Sequence, residues 1–146
     1  MAKLPRIPIG VDIIEIRRIR QAISRWGNSF LKRVYTNNEL EYCHNEAMRL
    51  AARFAAKEAV MKALGIGTKG IGWKDIEILL NSDGAPRIQL HGQAHKKSKE
   101  LGITEFSVTL SHSKQYAIAF VIGDVVPQRT LRDKASTIDA RNFPDS

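Results

Sequence analysis

The stretch Arg53-Phe-Ala-Ala-Lys-Glu-Ala-Val-Met-Lys62 constrains this chain more than any other, because it sets a lone carboxylate on the apolar stripe of an alanine-rich helix. Phe54, Ala55 and Met61 lie at i−4, i−3 and i+3 from Glu58, and Lys62 lies at i+4, so helical periodicity turns the acid toward packed side chains. Burying an ionised carboxylate is costly unless a cation or a metal compensates it. The plain alternative is a Glu58 to Lys62 surface pair, worth roughly a few tenths of a kcal/mol. Two further segments favour the first reading.

Near the start, Ile9-Gly-Val-Asp-Ile-Ile14 reads as a strand, with Asp12 interrupting a run of apolar and β-branched residues. By itself an acid at this place is usually an N-cap, and Asp12 could cap the amphipathic segment that follows. Toward the other end, Val108 to Val121 gives two strand-like runs joined by Ser111-His112-Ser113. Adjacent residues of an extended strand point to opposite faces, so this serine and histidine cannot act as nucleophile and base for each other. A Ser, His, Ser cluster at a strand mouth suits hydrogen bonding to phosphate oxygens instead.

Together the three segments resemble the phosphopantetheinyl transferases of the holo-acyl-carrier-protein synthase type. Gly10-Val-Asp12 with Arg18 is similar to that family's first motif, Phe54-Ala-Ala-Lys57-Glu58-Ala with Lys62 to its second, and Ser111-His-Ser113 with Ala117 and Ala119 to its third. The resemblance spans roughly Ile7 to Ile122 and keeps the order and spacing of all three. It implies transfer of the 4′-phosphopantetheine arm of coenzyme A to a serine of apo acyl carrier protein, serving fatty-acid or secondary metabolism, with Mg²⁺ required and adenosine 3′,5′-bisphosphate released.

The resemblance also implies residue roles. Asp12 and Glu58 would be the Mg²⁺ carboxylates, since this cation takes one or two such ligands and fills its octahedron with phosphate oxygens and water. Lys62 would stabilise charge on the leaving oxygen, and Glu58 is the first choice of base, directly or through a metal-bound water. Arg53, Lys57, Lys62, Gly65, Ser111, His112 and Ser113 would contact coenzyme A. For Arg53 a solubilising role on the helix weighs equally.

A net charge of +8 implies an acidic partner. From Ile16 to Arg33 the chain carries Arg17, Arg18, Arg20, Arg25, Lys32 and Arg33 and no acid. Acyl carrier proteins are acidic, so the resemblance assigns Arg17, Arg18 and Arg25 to carrier docking, an attraction that weakens with salt. A nucleic-acid-binding module would also need cations, but this stretch offers only Trp26 and Phe30 for base stacking and no recognisable nucleic-acid motif. A non-catalytic adaptor for acidic proteins would leave Asp12, Glu58 and Ser-His-Ser without a task.

At 146 residues, 43% hydrophobic and 26% charged, the composition is that of one globular domain. A single cysteine, Cys43, excludes an internal disulfide and suits a reducing cytosol. No segment approaches the ~20 apolar residues of a membrane span, and Met1 to Gly10 does not read as a signal peptide. A cytoplasmic enzyme is expected.

The expected fold is α+β, the phosphopantetheinyl transferase fold, with a small antiparallel sheet packed on a long central helix. Strands are predicted near 7–13, 75–80, 87–90, 106–110 and 116–122, with helices near 15–26, 30, 38–44, up to Leu64, and 92–101. Asp83-Gly84 marks a hairpin tip. Gly65-Ile-Gly67-Thr-Lys-Gly70 fits a dinucleotide fingerprint by letter only, because it closes a helix rather than opening one; Gly65 is better read as a helix C′ residue. His91 and His95 are spaced like a helical metal pair but are better read as exposed polar residues. Residues 1–124 form the expected domain, and 125–146 form a polar tail expected to be extended or disordered. With one copy of each motif, the chain resembles the homotrimeric members of the family, with sites between subunits.

Overall fold

The computed structural model describes residues 6–67 and 70–126. The expected polar tail from Pro127 onward lies outside the described residues. The fold is α+β. In chain order it runs β1 (Ile9–Glu15), α1 (Ile16–Trp26), α2 (Asn28–Val34), α3 (Asn37–Cys43), α4 (Ala47–Ala63), a short 3₁₀ turn (Trp73–Asp75), β2 (Ile76–Leu80), β3 (Pro86–Leu90), α5 (Gly92–Glu100), β4 (Ile103–His112) and β5 (Tyr116–Val125).

Two antiparallel sheets form, a three-stranded one in the order β1-β5-β4 and the β2-β3 hairpin. Strand alternation divides the larger sheet into two faces. On the inner face Ile14, Ala117, Ala119 and Val121 are buried against α4. Small residues dominate both partners: Ala51, Ala55 and Ala59 of α4 are fully buried, which lets helix and sheet approach closely. On the outer face the register pairs Ile9 with Ile122, Val11 with Phe120 and Ile13 with Ile118. All six are apolar, and all but the half-buried Phe120 are exposed.

The second covering of α4 comes from α3 and β2, and there the sequence hides an ion pair. Lys57 and Glu39 are both wholly buried, with Nζ 2.8 Å from Oε1. Lys57 also donates to the carbonyl oxygens of Trp73, at 3.1 Å, and Ile76. Glu39 accepts from the backbone amides of Thr36 and Ile78, at 2.9 and 3.1 Å. Thr36 and Glu39 form a reciprocal capping box that starts α3. One buried pair thus ties together α3, α4, the 3₁₀ turn and β2.

Element types match the expectations, and the differences are at ends. β4 begins at Ile103 and continues through Ser111 and His112, which pair with Ile118 and Ala117, so only Ser113 of that cluster stands in the turn. The ladder extends because the turn is closed by Ser113, whose Oγ accepts from the amides of Gln115 and Tyr116. β5 reaches Val125, one residue past the expected domain end, and the Val126 amide bonds to Gly102. Asp12 caps no helix: Glu15 is the N-cap of α1 and makes no side-chain capping bond. Gly65 is the expected C′ residue, with φ +72° and the paired Gly65 to Lys62 and Ile66 to Met61 bonds that end a helix on a left-handed residue. His91 is the N-cap of α5 and meets Glu77 Oε1 at 3.1 Å, a partner 14 positions away that periodicity does not reveal.

Candidate active site

Asp12 leaves β1 on the inner face and meets Lys62 of α4, Oδ1 to Nζ 2.9 Å, across fifty positions of sequence. The Lys62 ammonium also donates to the Val11 carbonyl at 3.0 Å. Its side chain is 58% exposed, against 11% for Asp12, so a half-solvated cation lies over a nearly buried acid. Glu58, one turn before Lys62, is half-buried beside them. Its carboxyl is pushed up to about 7, first by burial and then by the hydrogen bond and charge of the adjacent Asp12; Lys62 and Arg18 oppose the rise. Two carboxyl groups this close cannot both ionise comfortably without a cation between them.

The chemistry of these two neighbouring carboxyl groups is the test of whether a metal fits. The donor set is oxygen only, from two carboxylates, and hard cations such as Mg²⁺ favour such ligands. Among the described residues no group of three or more His, Cys, Asp or Glu converges as a complete metal cage. A cation here would therefore complete its coordination with substrate oxygens and water. The pair fits Mg²⁺ on these terms.

The remaining sequence-derived residues divide by position. Arg18 is close enough to act on Glu58, so it borders the acid pair, and Arg17 and Arg25 are exposed on the same helix, Arg25 resting 5.0 Å from the Trp26 ring. Gly65 is exposed, three positions beyond Lys62. Arg53 is 4% exposed; its guanidinium stacks 4.4 Å from the Tyr42 ring and donates to the Arg49 carbonyl, while its Nε is buried without a partner. Ser111, His112 and Ser113 are exposed at the end of the β4-β5 hairpin. They are on the far side of β5 from Asp12, which pairs with Ala119, itself paired with Leu110. Within one chain they do not join the acid pair.

Lys57 is the residue whose placement departs most from the expectation of a phosphate contact. Its three protons are all spent inside the chain, on Glu39, Trp73 and Ile76, and no part of it is exposed. Burial lowers its pKa and the Glu39 carboxylate offsets the fall. Glu39 and Glu77 were not recognised from sequence as structural acids. The Thr36-x-x-Glu39 spacing of a capping box was the available signal for the first; Glu77, which accepts from Thr36, Asn38 and His91, had none.

The sequence model of the 4′-phosphopantetheinyl transferase superfamily matches residues 8–121. The chain is 53% identical over 121 residues to a holo-[acyl-carrier-protein] synthase of Herpetosiphon aurantiacus, covering 78% of this chain and 95% of the relative. It is 52% identical over 113 residues to one from Dehalococcoides mccartyi, covering 77% and 94%. In structure it is similar to the Helicobacter pylori holo-[acyl-carrier-protein] synthase solved in complex with coenzyme A, with a TM-score of 0.73, 34% identity, and coverage of 80% of this chain and 99% of that one.

Proposed function

The chain belongs to the 4′-phosphopantetheinyl transferase superfamily and is a phosphopantetheinyl transferase, and from that premise we propose that it modifies a serine of apo acyl carrier protein with coenzyme A as donor and Mg²⁺ as cofactor. The serine oxygen attacks the phosphorus bonded to the pantetheine arm. The phosphoanhydride bond breaks, and its electron pair leaves on adenosine 3′,5′-bisphosphate. The convergence of Asp12, Glu58 and Lys62 from β1 and α4 is the observation that carries this reading.

Asp12 and Glu58 would hold Mg²⁺, whose positive charge would offset the negative charge of the diphosphate. Glu58, directly or through a metal-bound water, would take the serine proton. Lys62, on a flexible and largely exposed side chain, moves from Asp12 to the leaving phosphate as charge builds there. Arg53, with an unpaired Nε, and Gly65 are retained as coenzyme contacts; Lys57 is not, because its donors are already used. The exposed arginines Arg17, Arg18 and Arg25 receive the acidic carrier beside the acid pair.

The outer sheet face supports a homotrimer. Val11 and Ile13 are 54% and 57% exposed, and an apolar face of this kind marks a protein contact. A second copy of the chain is its occupant, with a threefold ring as the closed arrangement. Ser111 shares that outer face through its pairing with Ile118, so association would carry the Ser-His-Ser end of one subunit toward the acid pair of another. No helix among the described residues is long and apolar enough to cross a membrane, and Cys43 is a buried free thiol, which supports a cytoplasmic setting. The decisive experiment is intact mass of an apo carrier incubated with the protein, coenzyme A and Mg²⁺. A gain of one phosphopantetheine arm is expected; an unchanged mass would refute the reading.

A further inference from the structure

Gly10 is extended strand, paired with Val121 across the sheet, and no left-handed dihedral explains its identity. Space does. A Cβ placed on it would fall 1.9 Å from the Ala59 carbonyl oxygen, 2.8 Å from the carbonyl carbon and 3.3 Å from Cα. The obstructing atoms are backbone in the middle of α4, so no side chain can swing aside to make room. To reach ordinary contact, which begins at 3.4 Å, the strand would have to withdraw from the helix.

The position of this contact matters more than its tightness. Ala59 directly follows Glu58, and Gly10 lies two residues before Asp12 on the same strand face. A strand pushed back at Gly10 would carry Asp12, two residues on, away from Glu58. Mg²⁺ demands near-ideal octahedral geometry with oxygens at about 2.0–2.1 Å, whereas Ca²⁺ accepts about 2.3–2.6 Å and irregular shells. A separation fixed by close-packed backbone favours the smaller ion.

We propose that Gly10 is a positioning and specificity-determining residue: by lacking a side chain it holds β1 against α4 at the separation where Asp12 and Glu58 select Mg²⁺ over a larger divalent ion. The inference rests on the reading of these two acids as cation ligands. It assigns to Gly10 no contact with substrate.

The test is calorimetric titration of Mg²⁺, and separately Ca²⁺, into the full-length protein with coenzyme A present. In Gly10→Ala, Mg²⁺ affinity should fall roughly 10- to 100-fold, the range seen when groups supporting metal ligands are altered. Ca²⁺ affinity should fall less, so the Mg²⁺ to Ca²⁺ ratio drops. Adding Asp12→Glu to Gly10→Ala should recover part of the Mg²⁺ binding, because one more methylene reaches across the widened gap. A folded Gly10→Ala protein with the wild-type ratio would overturn the proposal, as would absence of rescue. If Gly10→Ala does not fold, Ala59→Ser, which adds one atom at the same seam, should lower the ratio in the same direction, and an unchanged ratio there would be equally fatal. A wild-type protein that binds neither ion would instead refute the cation reading of Asp12 and Glu58, and the proposal with it.

Discussion

Replacing Lys57 by Met removes a wholly buried ammonium of similar length and leaves Glu39, 1% exposed, with a charge and no cation. Thr36 and Ile78 still donate backbone amides to Glu39, but the carbonyls of Trp73 and Ile76 lose their donor. Breaking one side of a buried ion pair costs about 3–5 kcal/mol, a large share of the roughly 5–15 kcal/mol that keeps a domain folded. With a urea dependence of about 1–3 kcal/mol per molar, the unfolding midpoint should fall by on the order of 2 M. Glu39→Gln added to Lys57→Met removes the stranded charge and should recover part of the loss. The assay is urea unfolding followed by circular dichroism at one fixed chain concentration, because the stability of the proposed trimer would depend on it. A Lys57→Met protein within about 1 kcal/mol of wild type would refute the argument. So would unchanged stability combined with weaker coenzyme A binding, which would return Lys57 to the phosphate-contact role that the sequence suggested.

Glu58→Gln should fold normally and lose transfer at every Mg²⁺ concentration; near-normal turnover would remove Glu58 from the chemistry. The same substitution bears on pH. Because the folded pKa of Glu58 is raised from 4.5 to about 7, the native metal-free protein binds more protons than the unfolded chain in that interval, so stability is full below about pH 4.5 and declines as pH rises toward 7. Thermal melts in chelator should show this decline in wild type and a smaller one in Glu58→Gln, and identical slopes would contradict the assignment. Arg25→Glu should raise KM for the carrier several-fold at low salt and leave KM for coenzyme A unchanged, whereas Arg18→Glu should also lower kcat because Arg18 acts on Glu58; parallel loss of both affinities in Arg25→Glu would sink the docking role. Val11→Lys on the outer sheet face should yield a monomer in sedimentation and abolish transfer, and an active monomer would disprove a site shared between subunits.

Local elements were legible because their causes are local. The Asp83-Gly84 tip, the left-handed Gly65 and the alternation of β1 and β5 depend on neighbours within a few positions, and each forms where its pattern lies. The three motifs pointed to Asp12, Glu58 and Lys62, and the fold brings these side chains close, since Asp12 bonds Lys62 and perturbs Glu58. Periodicity failed at Lys57. An amphipathic reading grants a helix one buried face, whereas α4 is covered by β1 and β5 on one side and by α3 and β2 on the other. Lys57 is consequently buried deeper than Glu58, its neighbour in the chain.

The sequence by itself determined which ionisable side chains this protein carries, in which elements they stand, and the sign of its net charge. Only the tertiary structure decided which cation serves which acid. Lys62 faces Asp12 at the surface, and Lys57 faces Glu39 in the interior. The physical reason is that a charge is assigned by the distance and solvent around it, and both are set by contacts between residues far apart in the chain.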